Sequence, residues 1–253
     1  MRRVVFVDLD DTLFQTSKKD PSAGLLAAVD REGNPLSFRC GRQVAFLDWL
    51  SKGAMVIPVT GRSVDAFRRV TFPLGEYAIC SFGGVILTPS GKPDPEWHRE
   101  VSMAAEGTIE PMVDLHDIVA LAAAELGIDV RYRVVRDAGL PLYLSVKHNA
   151  GSASEMVRLA SAVSPSVPEG WTLHINGNNM AFLPPFLGKD AAVAFFLEHL
   201  VGDGPILTVG VGDSLTDVGF MRMCDYMMAP SNSQIVTVLS SQSPSSAVGV
   251  GET

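Results

Sequence analysis

Short, unbroken apolar runs alternate along this chain with stretches in which apolar residues return every three or four positions. Three runs are alike: VVFV from residue 4, AMVIPVT at 54–60 and ILTVGVGD at 206–213. Their brevity, β-branching and lack of polar alternation predict strands buried on both faces, the first over residues 3–8. YAICS (77–81) and DYMMA (225–229) predict two more. Helical periodicity falls at 41–52, 63–70, 189–201 and 215–223. Strand–helix alternation of this kind implies an α/β fold, a Rossmann-like doubly wound parallel sheet.

The middle of the chain breaks that rhythm. Residues 89–100 are dense in Pro, Gly and charge and predict a linker. A periodic helix follows at 109–126, then VRYRVV and LPLYLSVKH separated by the turn RDAG. A second helix at 152–163 precedes WTLHI and MAFLP, separated by the hairpin turn NGNN. Helix–strand–strand repeated twice predicts an inserted α+β domain. The core domain is then discontinuous, residues 1–88 and 186–253, with the insert at 89–185. LLAAVD-REGN-PLSF predicts a further hairpin at 25–38, and the Ser/Gly-rich tail after about residue 238 predicts disorder.

Composition narrows the partners. With 253 residues, 47% of them hydrophobic, the chain can bury a sizeable core and a smaller second unit. Acidic residues number 28 against 20 Lys and Arg, a net charge of −8, and no basic block stands out. Nucleic acid and anionic membrane surfaces are disfavoured partners. No apolar stretch approaches a bilayer span, and the N-terminal apolar run is too short for a signal peptide. The expectation is a soluble, cytoplasmic protein, a monomer or homodimer. Cys40, Cys80 and Cys224 are odd in number and far apart, which favours reduced, buried thiols.

The three core strands each end on a polar residue: Asp8, Thr60 and Asp213. Open parallel sheets bind ligands just beyond the carboxyl ends of their strands, so these residues should converge. The first strand runs into Asp8, Asp10 and Asp11, like charges that repel by about 4 kcal/mol at an effective dielectric near 20. Asp213 and Asp217 add two more carboxylates in GDSLTD. Oxygen ligands without His or Cys suit a hard cation, Mg²⁺ above all. Four carboxylates carry about −4; Mg²⁺ and one lysine return about +3, leaving a site suited to a bridging phosphate. An EF-hand is excluded, because Leu13 and Lys19 stand where that loop needs Gly and Glu. One ionised Asp can attack phosphorus while a second carries the proton for the leaving oxygen. Thr60, the Gly61 N–H and Lys189 suit the phosphoryl oxygens.

These residues fall in a known order. DLDDT (8–12), VTGR (59–62), LGKDAAV (187–193) and GVGDSLTD (210–217) resemble the four motifs of haloacid dehalogenase-like phosphatases, in sequence. The resemblance covers the chain except its tail. It implies Asp8 as nucleophile and magnesium ligand, and Asp10 as general acid/base binding magnesium through its backbone carbonyl. It implies Thr60 and Lys189 on the phosphoryl group, Asp213 as a direct metal ligand, and Asp217 as a ligand through water or a supporting partner. The insert resembles the large α/β cap of the subgroup with Cof-type, sucrose-phosphate and trehalose-phosphate phosphatases. SFGG departs from the subgroup's pattern, with Phe82 where many members carry Asn.

The implied activity is Mg²⁺-dependent hydrolysis of a small phosphorylated metabolite, a sugar phosphate above all. A phosphomutase of the same superfamily and a receiver-like phospho-acceptor module are the competing readings. Arg62, Lys147 and Asn178 are the candidate substrate contacts, with Arg131, Arg133 and Asn176 as further possibilities. His148 and His174 could face the site from the insert, though structural roles are favoured. Asp11 is expected to be a solvent-facing turn residue.

Overall fold

The computed structural model describes residues 1–242. β1 (Arg2–Val7) is followed by β2 (Gln15–Thr16), β3 (Leu25–Val29) and β4 (Pro35–Arg39), a small antiparallel sheet ordered β2–β4–β3. Next come α1 (Gly41–Ser51), β5 (Met55–Pro58), the one-turn α2 (Val64–Phe67) and the hairpin β6 (Ala78–Cys80) and β7 (Val85–Leu87). α3 (Pro95–Ala105) and α4 (Ile109–Leu126) lead to β8 (Val130–Asp137) and β9 (Leu140–His148). α5 (Ala153–Val163) precedes β10 (Thr172–Asn176) and β11 (Asn179–Leu183). α6 (Lys189–Phe195), β12 (Ile206–Val211), α7 (Val218–Met221), β13 (Tyr226–Met228) and α8 (Gln234–Gln242) complete the described chain.

The three predicted core strands are neighbours in one parallel sheet, ordered β13–β12–β1–β5. β1 is buried on both faces, as its unbroken apolar run requires. Val4 and Phe6 join Ile57, Phe196 and Phe220 on one side; Val5 and Val7 join Leu13, Leu47 and Leu50 on the other. Each such side chain stabilises the sheet by about 1.5–3 kcal/mol, and all four do so at the strand that carries Asp8. A parallel bridge from Val59 to Ile79 extends the pairing toward β6.

The insert holds a second sheet, antiparallel and ordered β10–β11–β9–β8. Leu115 and Val119 of α4 and Met156 and Leu159 of α5 pack on Leu144, Val146 and Phe182 to make a core of their own. Val135, Leu142, Tyr143 and Leu183 belong instead to the main core, with Trp97 and Leu187. The RDAG turn works because Ala138 and Gly139 both take positive φ, 47° and 85°.

Four expectations need correction. The predicted linker contains α3: Asp94 caps its N-terminus through Glu96 and Trp97 N–H, Pro95 opens its first turn, and Trp97 and Val101 are buried. The helix predicted over 189–201 is α-helical only to Phe195 and then takes one wider turn over Phe196–Leu200. The tail predicted as disordered begins helically, in α8; the rest of it lies outside the described residues. Of the thiols, Cys80 is buried, whereas Cys40 and Cys224 are half-buried.

Candidate active site

The carboxyl ends of β1 and β12 meet. Asp8 N–H donates to Val211 O at 2.8 Å, which sets the first residue past β1 beside the loop that carries Asp213. The chain then curls: Leu13 N–H returns to Leu9 O at 2.9 Å, and Asp11 takes a left-handed φ of 66°. That curl turns Thr12 back, so that its Oγ1 lies 3.3 Å from both Asp8 Oδ2 and Asp213 Oδ1. One hydroxyl proton can serve only one of them at a time.

Lys189, the first residue of α6, is the hub. Its Nζ donates at 2.6 Å to Asp8 Oδ1 and at 2.6 Å to Asp217 Oδ1. All three are deeply buried: Asp8 is 5% exposed, Lys189 6% and Asp217 0%. Asp217 Oδ2 accepts from Asp213 N–H, Ser214 N–H and the Ser214 hydroxyl at 3.2, 3.0 and 2.8 Å. Asp217 is therefore saturated and works as a clamp that orients Lys189 and shapes the 212–214 loop.

Burial pushes the Asp8 carboxyl well above the usual carboxylate range; Lys189 pulls it back, and Asp217 and Asp213 oppose that pull. Burial works against the Lys189 ammonium, but Asp8 and Asp217 outweigh it and hold its pKa above the ordinary value. Burial, with Asp217 and Asp11 behind it, pushes Asp213 up to about 7. Oxygens of Asp8, Asp213 and Asp217 all lie within 4.8 Å of one another. An all-oxygen donor set carrying excess negative charge fits Mg²⁺. Asp8 Oδ2 and Asp213 Oδ1 have only the shared Thr12 hydroxyl, and Asp213 Oδ2 accepts no hydrogen bond among the described residues, so these oxygens are the least committed.

Asp10 is outside that cluster. Arg62 grips it with a two-pronged fork, Nε to Oδ2 and Nη2 to Oδ1, both at 2.7 Å. Arg62, a candidate substrate contact, is thus committed to Asp10. Thr60 is buried, its N–H donating to Ile79 O at 2.8 Å and its Oγ1 accepting from Arg62 N–H at 3.1 Å. The Gly61 N–H has no hydrogen bond among the described residues.

Over this loop lies a strap whose backbone no sequence signal announced. Ser81, Phe82 and Gly83 take successive positive φ angles of 52°, 55° and 96°. Left-handed φ costs a non-glycine residue about 1–2 kcal/mol, so tertiary contacts must hold the first two. Ser81 N–H donates to Arg62 O at 2.7 Å, Phe82 N–H to Thr60 O at 3.1 Å, and Trp97 Nε1 to Gly83 O at 2.8 Å. Asp137 at the end of β8 accepts from the Ser81 hydroxyl at 2.6 Å and from Val64 N–H at 2.7 Å. Phe82 covers Gly61 so closely that a Cβ there would stand 2.6 Å from the ring. Tyr143 and His174 of the insert pack edge-on to the same ring.

A cleft of about 910 Å³ opens beside the carboxylates. Thr12, Asp213 and Ser214 line it from the core, and His174, Asn176 and Gly177 from the insert. Burial, then the charge of Lys189, depress the His174 pKa below the ordinary imidazole value. Lys147 and Asn178 do not line this cleft: Lys147 sits in β9 opposite Asn179, and Asn178 Nδ2 donates to His148 O at 3.4 Å. His148 is buried and paired with Glu155 at 2.6 Å, a structural role. Asp11 lines the cleft, paired with Lys19, and is not the solvent-facing spacer expected of it.

Scans against protein-family models and curated protein sequences return no match. Solved structures do match. The sucrose-phosphatase of Synechocystis, in complex with sucrose and phosphate, superposes with a TM-score of 0.53 at 16% identity, covering 96% of this chain and 88% of its own. The C-terminal domain of C. albicans trehalose-6-phosphate phosphatase gives 0.52 at 14%, covering 87% and 73%. A haloacid dehalogenase-like hydrolase from B. subtilis gives 0.52 at 13%, covering 92% and 90%. The parallel sheet, the inserted α+β unit and these neighbours together place the chain in the fold of the haloacid dehalogenase-like hydrolases.

Proposed function

We propose that the chain is a Mg²⁺-dependent phosphomonoester hydrolase that acts on a small sugar phosphate through an aspartyl-phosphate, with residues 89–185 as its cap. The observation that carries this reading is the buried Asp8–Lys189–Asp217 triad at the carboxyl end of β1, with Asp213 and Thr12 beside it. Such a triad is costly to bury for structure alone, because desolvating charges takes several kcal/mol per ion. The likeness to a sucrose-phosphatase holding sucrose and phosphate, and to a trehalose-6-phosphate phosphatase, supports a sugar phosphate.

In this reading Asp8 is the nucleophile. Lys189 holds Oδ1, which leaves Oδ2 as the attacking atom. Thr60, the Gly61 N–H and Lys189 receive the phosphoryl oxygens as charge develops on them. Asp10 protonates the leaving oxygen and later takes a proton from water. To carry that proton its carboxyl must leave the Arg62 fork, so Arg62 is the group that parks it. Asp8, Asp213 and the Asp10 backbone carbonyl would hold Mg²⁺, which when bound neutralises phosphate charge and screens the carboxylates.

The test is Asp8→Asn, assayed on p-nitrophenyl phosphate and on a panel of hexose and disaccharide phosphates. Loss of turnover to background with an unchanged circular dichroism spectrum is expected. Turnover near wild type would remove Asp8 from the chemistry.

A further inference from the structure

The cleft is far larger than a phosphate group, and part of its wall comes from neither the Asp8–Asp213–Asp217 cluster nor the insert. That part comes from β2, the loop after it and the start of α1, which contribute Gln15, Gln43 and Phe46. The two amides form a chain with a fixed direction. Cys40 N–H donates to Gln43 Oε1 at 3.0 Å, so the Gln43 amide must turn its nitrogen outward. Gln43 Nε2 then donates to Gln15 Oε1 at 2.5 Å, and Gln15 Nε2 to Asp20 Oδ2 at 3.4 Å. Each amide spends one N–H and one lone pair within this chain. Each keeps one N–H and one lone pair for something else.

A donor beside an acceptor, repeated on two locked side chains, is the complement of neighbouring hydroxyl groups. Charge argues the same way. Three carboxylates, Asp11, Asp20 and Asp213, line the cleft against Lys19 and Arg42, and Lys19 is already paired with Asp11. A second anionic group on the leaving half would meet a cleft with no surplus of positive charge. A neutral polyol would meet amides, with the Phe46 ring beside them for its carbon face.

We infer that Gln15 and Gln43 are specificity-determining residues that read vicinal hydroxyls on an uncharged sugar leaving group. The selectivity of this chain is thereby set from the core side of the cleft as well as from the insert. This rests on the phosphatase reading and goes beyond it by assigning the sugar half to residues on β2 and α1.

Gln15→Leu is the cleaner test, because Gln43 also belongs to the capping box of α1. Two substrates are compared: p-nitrophenyl phosphate, which offers no hydroxyls, and the hexose or disaccharide phosphate turned over best by the wild type. The expected result is a rise in KM of tenfold or more for the sugar phosphate with kcat nearly kept, and unchanged kinetics on the aryl phosphate. Gln15→Asn, which keeps an amide, should recover part of the loss. Equal losses on both substrates would mark Gln15 as structural, and no loss on either would remove it from recognition; both overturn the inference. Absence of any phosphatase turnover in the wild type would remove the function itself and this inference with it.

Discussion

Replacing Lys189 with Met keeps the length of the side chain and deletes the one charge that holds Asp8 and Asp217 together. Breaking a buried ion pair by removing one partner costs about 3–5 kcal/mol, because the remaining charge stays buried. Two carboxylates lose the lysine here, yet the cost should not double. Asp217 Oδ2 keeps three hydrogen bonds, from Asp213 N–H and from the N–H and hydroxyl of Ser214. Asp8 keeps only the long contact to Thr12, so it dominates the loss. For a chain of this size about 3–5 kcal/mol corresponds to a fall in Tm of about 6–20 °C. The pH dependence has a definite sign. A carboxyl whose pKa is raised by folding binds more protons in the native than in the unfolded state, so its penalty grows as pH rises. Asp8 is already raised in the wild type by burial, and without Lys189 it is raised further. The deficit of Lys189→Met should therefore be largest at pH 8 and shrink toward pH 5. Thermal melts of both proteins in EDTA at pH 5, 6.5 and 8 make the measurement. A deficit independent of pH, or one below about 1 kcal/mol, would refute the view that Lys189 stabilises the fold by neutralising these carboxylates.

Two further outcomes are expected. Asp213, pushed up to about 7 by burial, Asp217 and Asp11, binds its proton in the native state before it does so unfolded. In EDTA the wild type should gain stability as pH falls from 8 to 6, and millimolar Mg²⁺ should flatten that slope and switch on turnover; identical slopes with and without Mg²⁺ would refute the ion site. Gly83→Ala places a Cβ 2.1 Å from the Gly188 carbonyl at a φ of 96°. It should cost more than about 2 kcal/mol in urea unfolding and lower activity as well, since Gly188 leads directly into Lys189; wild-type stability would show that the strap can move freely.

What could be read from the sequence divides along a physical line. β1, β5 and β12 were legible because each run is strand-forming by its own composition and buried on both faces. The position rule for parallel sheets then carried Asp8, Thr60 and Asp213 to one edge without knowledge of any contact. The α3 helix was obscured by averaging: the Pro and charge of 89–100 suggest a linker, whereas Asp94 followed by Pro95 is a helix start. The insert's strands were legible, but not which of their residues face the cleft. Asn176 and Gly177 line it while Asn178, one residue further along the same turn, bends back to His148.

The strap at 81–83 was not legible at all, because nothing in the residues SFGG favours left-handed backbone at a serine and a phenylalanine. Those angles are imposed from outside, by Arg62, Thr60, Trp97 and Asp137, whose contacts reach between 14 and 56 residues along the sequence. The same non-local logic governs Arg62. Its place beside Thr60 and Gly61 made a substrate contact plausible, but Asp10, 52 residues earlier, claims both prongs of the guanidinium. Asp10 is also the residue whose proposed acid/base role demands movement. A pair that is strong when docked, yet leaves Asp10 half-exposed, suits a carboxyl that must be parked between turnovers and released within them.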